Sequence, residues 1–297
     1  MYNLGICALC KKEEDIQLSH IVPKFIGRNL KKTSVSRIRN TGNLNKPVQD
    51  IEKHYLLCHD CEELFSRSET WFANNIFYPY MRNGKNNFNY DENMHFFLSS
   101  LSWRSLYLDI MDFVQNGGIG IDALQCLINS ENILKNYLLK KRKDIGQIEN
   151  HIFFFDRIKE VSGEFSEEFK QLHPHIAMHR GIFSYTSCFE KEGTYFTITN
   201  MMGIIVVTLY KKNQEEQWVN TKIDIGKGNI KSNNQKVHSV VGNELQYIAE
   251  QIEKQVRKLD YKQKDIIRKK TTSIGENIKK YDIFNDMLDD MNLNDNR

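Results

Sequence analysis

An α+β fold class is predicted by three observations. Cys-x-x-Cys pairs stand at Cys7–Cys10 and Cys58–Cys61; two long segments with helical apolar periodicity follow; then come five short β-branched or apolar runs split by Gly, Asn and charged turns. Two residues between paired cysteines let one tight turn aim both sulfurs at a single ion, and four thiolates complete a tetrahedral structural zinc site. The remaining cysteines, Cys126 and Cys188, lie alone in apolar segments. That is metal-site usage in a reducing compartment, so a cytoplasmic protein is expected.

The 297 residues are 40% hydrophobic and 27% charged, enough to bury a core and outside the disordered class. No apolar run approaches the roughly eighteen residues of a membrane span, and no charged-then-apolar leader opens the chain. Neither a membrane segment nor a signal peptide is expected. The net charge of +3 conceals a local imbalance. Residues 16–49 hold Lys24, Arg28, Lys31, Lys32, Arg37, Arg39 and Lys46 with no carboxylate between them. Such a run is either a solvated loop or a surface that meets phosphates.

In chain order, the first predicted unit is a zinc-stapled module over 1–85. Its second cysteine pair opens a helix marked by Leu64, Phe65, Trp71, Phe72 and Ile76. A knuckle, an intervening hairpin or loop, and a cysteine pair at a helix start describe a treble clef. Residues 79–93 have loop composition and separate this module from an α/β domain over 86–297. A helical hairpin is predicted over 94–143, its first helix carrying Phe97, Leu98, Leu101, Leu108 and Met111 and ending at Asn116-Gly117-Gly118. Trp103-Arg104 on that helix fits a packing Trp with a capping Arg. An antiparallel sheet of four or five strands is predicted over 150–225, a basic helix over 239–270, and an acidic tail over 282–297. The helix and tail either neutralise each other, or the tail covers a nucleic-acid face. His173, His175 and His179 resemble a second metal cluster. Pro174 argues against the helix that would align them, so loop and strand histidines are expected.

With Cys7-x-x-Cys10, Ser19-His20-Ile21-Val22-Pro23 and Leu57-Cys58-His59-Asp60-Cys61-Glu62 together, roughly the first quarter of the chain resembles the HNH endonucleases. The resemblance implies a ββα fold that cleaves a phosphodiester with one catalytic divalent ion, here Mg²⁺ or Mn²⁺. It implies His20 as the general base on water and Glu62 as a metal ligand, with Asp50, Asn45 or Asn43 in support. Glu69, on the same helical face as Glu62, is either a second ligand or a surface charge. Lys24, Arg28, Lys31, Lys32, Arg37 and Arg39 would then position the DNA backbone. Small bacterial proteins of this kind often act in defence against foreign DNA. Ser19 departs from the pattern, standing where an Asp or His ligand is expected, and a hydroxyl is a poorer ligand. The alternative for His20 is a histidine packed on the zinc knuckle, and His59 is expected to be exposed. Two rival functions stay open: a non-catalytic, zinc-stapled nucleic-acid-binding module, and a protein-interaction scaffold with a protein partner or a second copy.

Overall fold

The computed structural model describes residues 3–156, 160–161, 169 and 172–295. Strand β1 (Leu4–Ile6) turns through Cys7 and Cys10 into β2 (Glu13–His20), which pairs on its other edge with β5 (Lys53–Cys58). Between β2 and β5 lie helix α1 (Lys24–Thr33) and a hairpin of β3 (Arg39–Asn40) and β4 (Asn43–Pro47). Strand β5 runs straight into α2 (His59–Phe72), which continues through a π-helical turn, Ala73–Phe77, into α3 (Tyr78–Asn83).

After β6 (Asn87–Tyr90) come α4 (Glu92–Asn116) and α5 (Ile121–Leu138). Helix α5 stops short of the expected 143 because Lys140 adopts a left-handed conformation (φ 57°), which leaves Lys140–Lys143 beyond the helix. Then follow β7 (Glu149–Phe154), β8 (Glu160–Val161), α6 (Pro174–His179), β9 (Ile182–Phe189), β10 (Thr194–Met201) and β11 (Ile204–Lys211). The expected strand over 217–225 is two pieces, β12 (Gln217–Val219) and β13 (Lys222–Ile223), which enter different sheets. Asn220, at φ 58°, makes the turn between them. The main sheet has the order β13-β7-β11-β10-β9 and is antiparallel throughout. Only β9-β10-β11 is a meander. The chain continues with β14 (Gly228–Lys231), paired to β6, and β15 (Lys236–His238), paired to β12 and β8. The expected single basic helix is α7 (Val241–Arg257) and α8 (Tyr261–Ile274), interrupted at Asp260. There the Asp260 carboxylate accepts from the Gln263 backbone N–H at 2.7 Å, a helix N-cap. Helix α9 (Asp282–Asp295) ends the described chain. No described helix is long and apolar enough to cross a membrane.

Both faces of the main sheet are covered, which is why β11 reads as a continuous apolar run. Ile152, Phe154, Ile204 and Val206 face the side where α1, α2 and α4 pack. Phe153, Ile205, Val207 and Leu209 alternate onto the other side with Val241, Leu245 and Ala249 of α7. The expected boundary at residue 85 is not a boundary in the packing. Val22, Ile26, Phe72 and Phe77 share one buried cluster with Phe97, Phe154 and Val206. Cys7, Cys58 and Phe65 share another with Trp103, Leu127 and Tyr137.

The histidine expectation also changes. Pro174 occupies the first turn of α6, where a missing N–H costs nothing, and so starts the helix it was expected to forbid. His175 and His179 then lie one turn apart with ring centroids at 5.7 Å. Gly203, at φ +88°, makes room for the His179 ring, which lies 2.4 Å from where a Cβ would stand. The partners of these histidines come from the acidic tail. His175 Nδ1 pairs with Asp290 at 2.9 Å, and His179 Nδ1 with Asp286 at 2.8 Å. Arg180 Nε reaches Asp286 at 2.8 Å, while its Nη1 donates to Thr33 of α1 at 2.9 Å. Among the described residues the tail therefore pairs with this cluster and not with the basic helix.

Burial alone would lower the His175 pKa, but Asp290, with Asp289 and Asp286 behind it, raises it above the ordinary 6.5. A raised folded-state value stabilises most below the unfolded value and is lost as pH rises through the folded one. Tail docking is accordingly expected to be tightest below about pH 6.5 and to weaken above it. The rate of proteolysis within α9 should rise with pH across that range, and Asp290→Asn should flatten the dependence.

Candidate functional site

Cys7 and Cys10 sit on the β1–β2 turn, closed by Cys7 N–H to Lys12 O at 2.9 Å and Lys11 N–H to Cys7 O at 3.0 Å. Cys58 ends β5 and Cys61 lies in the first turn of α2, so the strand-to-helix junction presents the second pair. All four sulfurs lie within 4.8 Å of one another, and Cys10 Sγ to Cys58 Sγ is 3.8 Å. Zinc–sulfur bonds near 2.3 Å put tetrahedral sulfurs about 3.8 Å apart. The Cys58 backbone N–H also points at Cys7 Sγ, 3.4 Å away. Donation from the Cys61 thiol holds Cys7 down to about 4, while the same contact pushes Cys61 up. A donor set that already favours thiolate at one sulfur fits a soft divalent cation, and the four cysteines could hold zinc. Among the described residues this is the one group of three or more side chains positioned to ligate a metal. His59 points to solvent outside it.

Some distance along β2, at its last residue, His20 Nε2 meets Asp50 Oδ2 at 3.1 Å. Both are partly exposed, at 16% and 27%. Asp50 is fixed by the Ile51 backbone N–H, 3.0 Å from its other oxygen, and Lys53 Nζ lies 3.5 Å from the oxygen that His20 uses. Burial pushes the Asp50 carboxyl up, but His20, Ile51 and Lys53 outweigh it and hold the pKa below the usual range. An ionised Asp50 accepts the proton on Nε2, which leaves Nδ1 as the imidazole's lone-pair nitrogen.

The other expected residues divide. Ser19, adjacent to His20 and hence on the opposite face of the strand, is 2% exposed and turns its hydroxyl to Gln17 O. Glu62 lies in the first turn of α2 with one carboxylate oxygen buried and unpaired among the described residues. It forms no metal-ligating group with His20 and Asp50. Glu69 is neither ligand nor surface charge: it pairs with Arg104, which is 1% exposed and lies over the Phe65 ring. Arg104 thus joins α4 to α2 and caps nothing, while Trp103 packs as expected and donates to Glu131 at 2.9 Å. Asn45 is not beside His20. It donates to Lys258 O and accepts from the Asp260 N–H, fastening β4 to the α7–α8 break. Asn43 accepts from the Asn45 N–H.

Lys24, Arg28, Lys31 and Lys32 project from α1, which starts directly after His20-Ile21-Val22-Pro23. None of them, nor Arg37 or Arg39, pairs with a carboxylate among the described residues. The structure adds a contribution that local charge runs do not reveal. Helix α8 packs beside the β3–β4 hairpin, and Arg39 donates to both Leu44 O and Gln263 Oε1. A cleft of about 600 Å³ is lined by Lys31, Arg37 and Lys270, and a neighbouring one of about 500 Å³ by Arg37, Arg39 and Lys270. Neither is lined by an acidic residue. Two basic segments more than two hundred positions apart in the chain form a single cationic surface.

No protein-family model matches the chain, and no curated protein or solved structure does either.

Two outcomes are expected. Metal analysis of the purified protein should find about one zinc per chain, and Cys58→Ser should lose it with a fall in Tm on the order of 10 °C. Glu69→Gln should cost about 3–5 kcal/mol in denaturant unfolding, because it strands the buried Arg104 charge. Replacing both residues with apolar ones of similar volume should cost much less.

Proposed function

We propose that the N-terminal module is an HNH-like endonuclease of treble-clef type acting on DNA, with His20 as its base. The observation that carries this reading is the His20–Asp50 pair, 3.1 Å apart and open to solvent at the end of the strand beside the cysteine cluster. Asp50 orients the imidazole. Nδ1 is then free to take a proton from a water attacking phosphorus. Lys53 supplies a positive charge next to the pair, and the unpaired cations of α1 lead away from it toward the Arg37–Lys270 surface. Phosphates along such a track would hold a duplex by charge, with the steep salt dependence that follows.

The family pattern calls for a catalytic Mg²⁺ or Mn²⁺. The side chains do not fit a ready-made seat for it: Ser19 faces inward, His20 Nε2 is taken by Asp50, and the buried Glu62 oxygen stands in no group with them among the described residues. The same observation favours a second reading, a zinc-stapled module that binds nucleic acid without cutting it.

Plasmid nicking in the presence of Mg²⁺ or Mn²⁺ separates the two. Cleavage is expected to fall at least about 100-fold in His20→Ala and strongly in Asp50→Asn, each with its zinc retained. Cleavage unchanged in both variants would place the activity elsewhere. Salt-sensitive binding with no cleavage by the unmodified protein would support the binding module.

A further inference from the structure

A cavity of about 410 Å³ opens between α2, the start of α4 and the segment following α5. Leu64, Phe96 and Tyr137 supply its apolar wall, with the Phe96 and Tyr137 rings tilted at 43° and 6.3 Å apart. Its rim is cationic: Arg67 from α2, and Lys140, Arg142 and Lys143 from the chain just past α5, against the single carboxylate of Glu92. The rim cations are only loosely committed. Arg67 pairs with the exposed Glu63 and Arg142 with the exposed Asp144, while Lys140 and Lys143 have no ion pair among the described residues. Arg142 Nε is buried with no hydrogen-bond partner among the described residues.

An aromatic wall beneath several cations selects a ligand with a flat, apolar part and clustered negative charge. The volume lies in the range of small-molecule sites. We propose that this cavity binds a nucleoside polyphosphate, the base lying against Phe96 and Tyr137 and the phosphates meeting Arg67, Lys140 and Lys143. The backbone prepares the rim. The left-handed turn at Lys140 ends α5 and redirects residues 140–143 over the cavity instead of continuing the helix away from it.

The site also has a route inward. The Tyr137 hydroxyl bonds His95 Nδ1 at 2.9 Å, and the Asn150 amide, 3.4 Å from His95 Nε2, bonds Ser99 and Thr208 in the core. Burial lowers His95 to about 4, so this relay is neutral at physiological pH. On the opposite wall, Leu64 and Arg67 lie in the turns directly after Cys61 and Glu62. A ligand bridging α2 to the segment after α5 would hold the helix that carries Cys61 of the cysteine cluster. The proposal stands whether or not the module cleaves DNA.

The test is titration of the full chain with ATP carrying a fluorescent N-methylanthraniloyl label, followed by competition with ATP, adenosine and inorganic triphosphate. ATP is expected to compete at least about tenfold better than either adenosine or triphosphate, since neither fills both halves of the site. Arg67→Glu with Lys143→Glu, both exposed and harmless to folding, should weaken ATP at least tenfold. Phe96→Leu should weaken ATP while leaving triphosphate unchanged. Lys31→Glu with Arg37→Glu, in the other basic cleft, should have no effect. Absence of saturable ATP binding at millimolar concentration, triphosphate competing as well as ATP, or sensitivity to the Lys31/Arg37 pair in place of the Arg67/Lys143 pair would each overturn the proposal.

Discussion

Helix α4 must be satisfied on every side, and much of the architecture follows from that constraint. It is enclosed from Met94 to Leu106, with Trp103 and Arg104 among the largest fully buried side chains. Toward the sheet it turns serines: Ser102 bonds Thr208 at 2.7 Å, Ser105 bonds Ser184 at 2.5 Å, and Ser99 accepts from Asn150. The sheet answers with its own polar ladder, Thr186 to Thr197 and Thr197 to Tyr210. Hydroxyls are small, so helix and sheet approach closely, but each must find a partner because an unpaired buried polar group is costly. Toward the module the same helix turns Phe97 onto Phe72, stacked at 4.1 Å, and Arg104 onto Glu69. The cysteine module is therefore built onto the larger part of the chain through one shared helix.

What could be read in advance was what is local. Cysteine spacing, the helical stripe after Cys61, the β9–β11 runs and the glycine stop of α4 all depend on neighbours a few residues away, and all correspond to elements in the structure. The failures share a different cause. Residues 79–93 look like a linker because their side chains are polar, yet Phe88 is fully buried and β6 finds β14 far along the chain. Pro174 reads as a helix breaker in the sequence because its effect depends on where the helix begins, and the sequence does not mark that start. The acidic tail was paired with the nearest basic segment in sequence, whereas its partners are His175, His179 and Arg180. Charge counts along a chain carry no information about which charges meet.

The candidate site shows the same division. Four ligands in two pairs were legible because each pair is a local turn. His20 was visible from its surrounding residues. Among Asp50, Asn45 and Asn43, however, only the fold could select, since each lies in the long connection between β2 and β5. The fold brings Asp50 to His20 and gives Asn45 a different task, that of fastening β4 to the α7–α8 break. By the same fastening, Lys270 arrives beside Arg37. A residue expected to assist chemistry instead assembles the charged surface.

Arg180 occupies a position whose consequence is thermodynamic. One guanidinium holds Asp286 of the tail and Thr33 at the end of α1, the helix that begins four residues after His20. Two segments fastened by the same group are linked in their free energies: whatever loosens one alters the tolerance of the other by an equal amount. Release of α9 would leave Arg180 with an uncompensated charge and a changed reason to stay on Thr33. The end of the chain and the approach to His20 thus share a common equilibrium, although no side chain of the tail needs to touch the histidine.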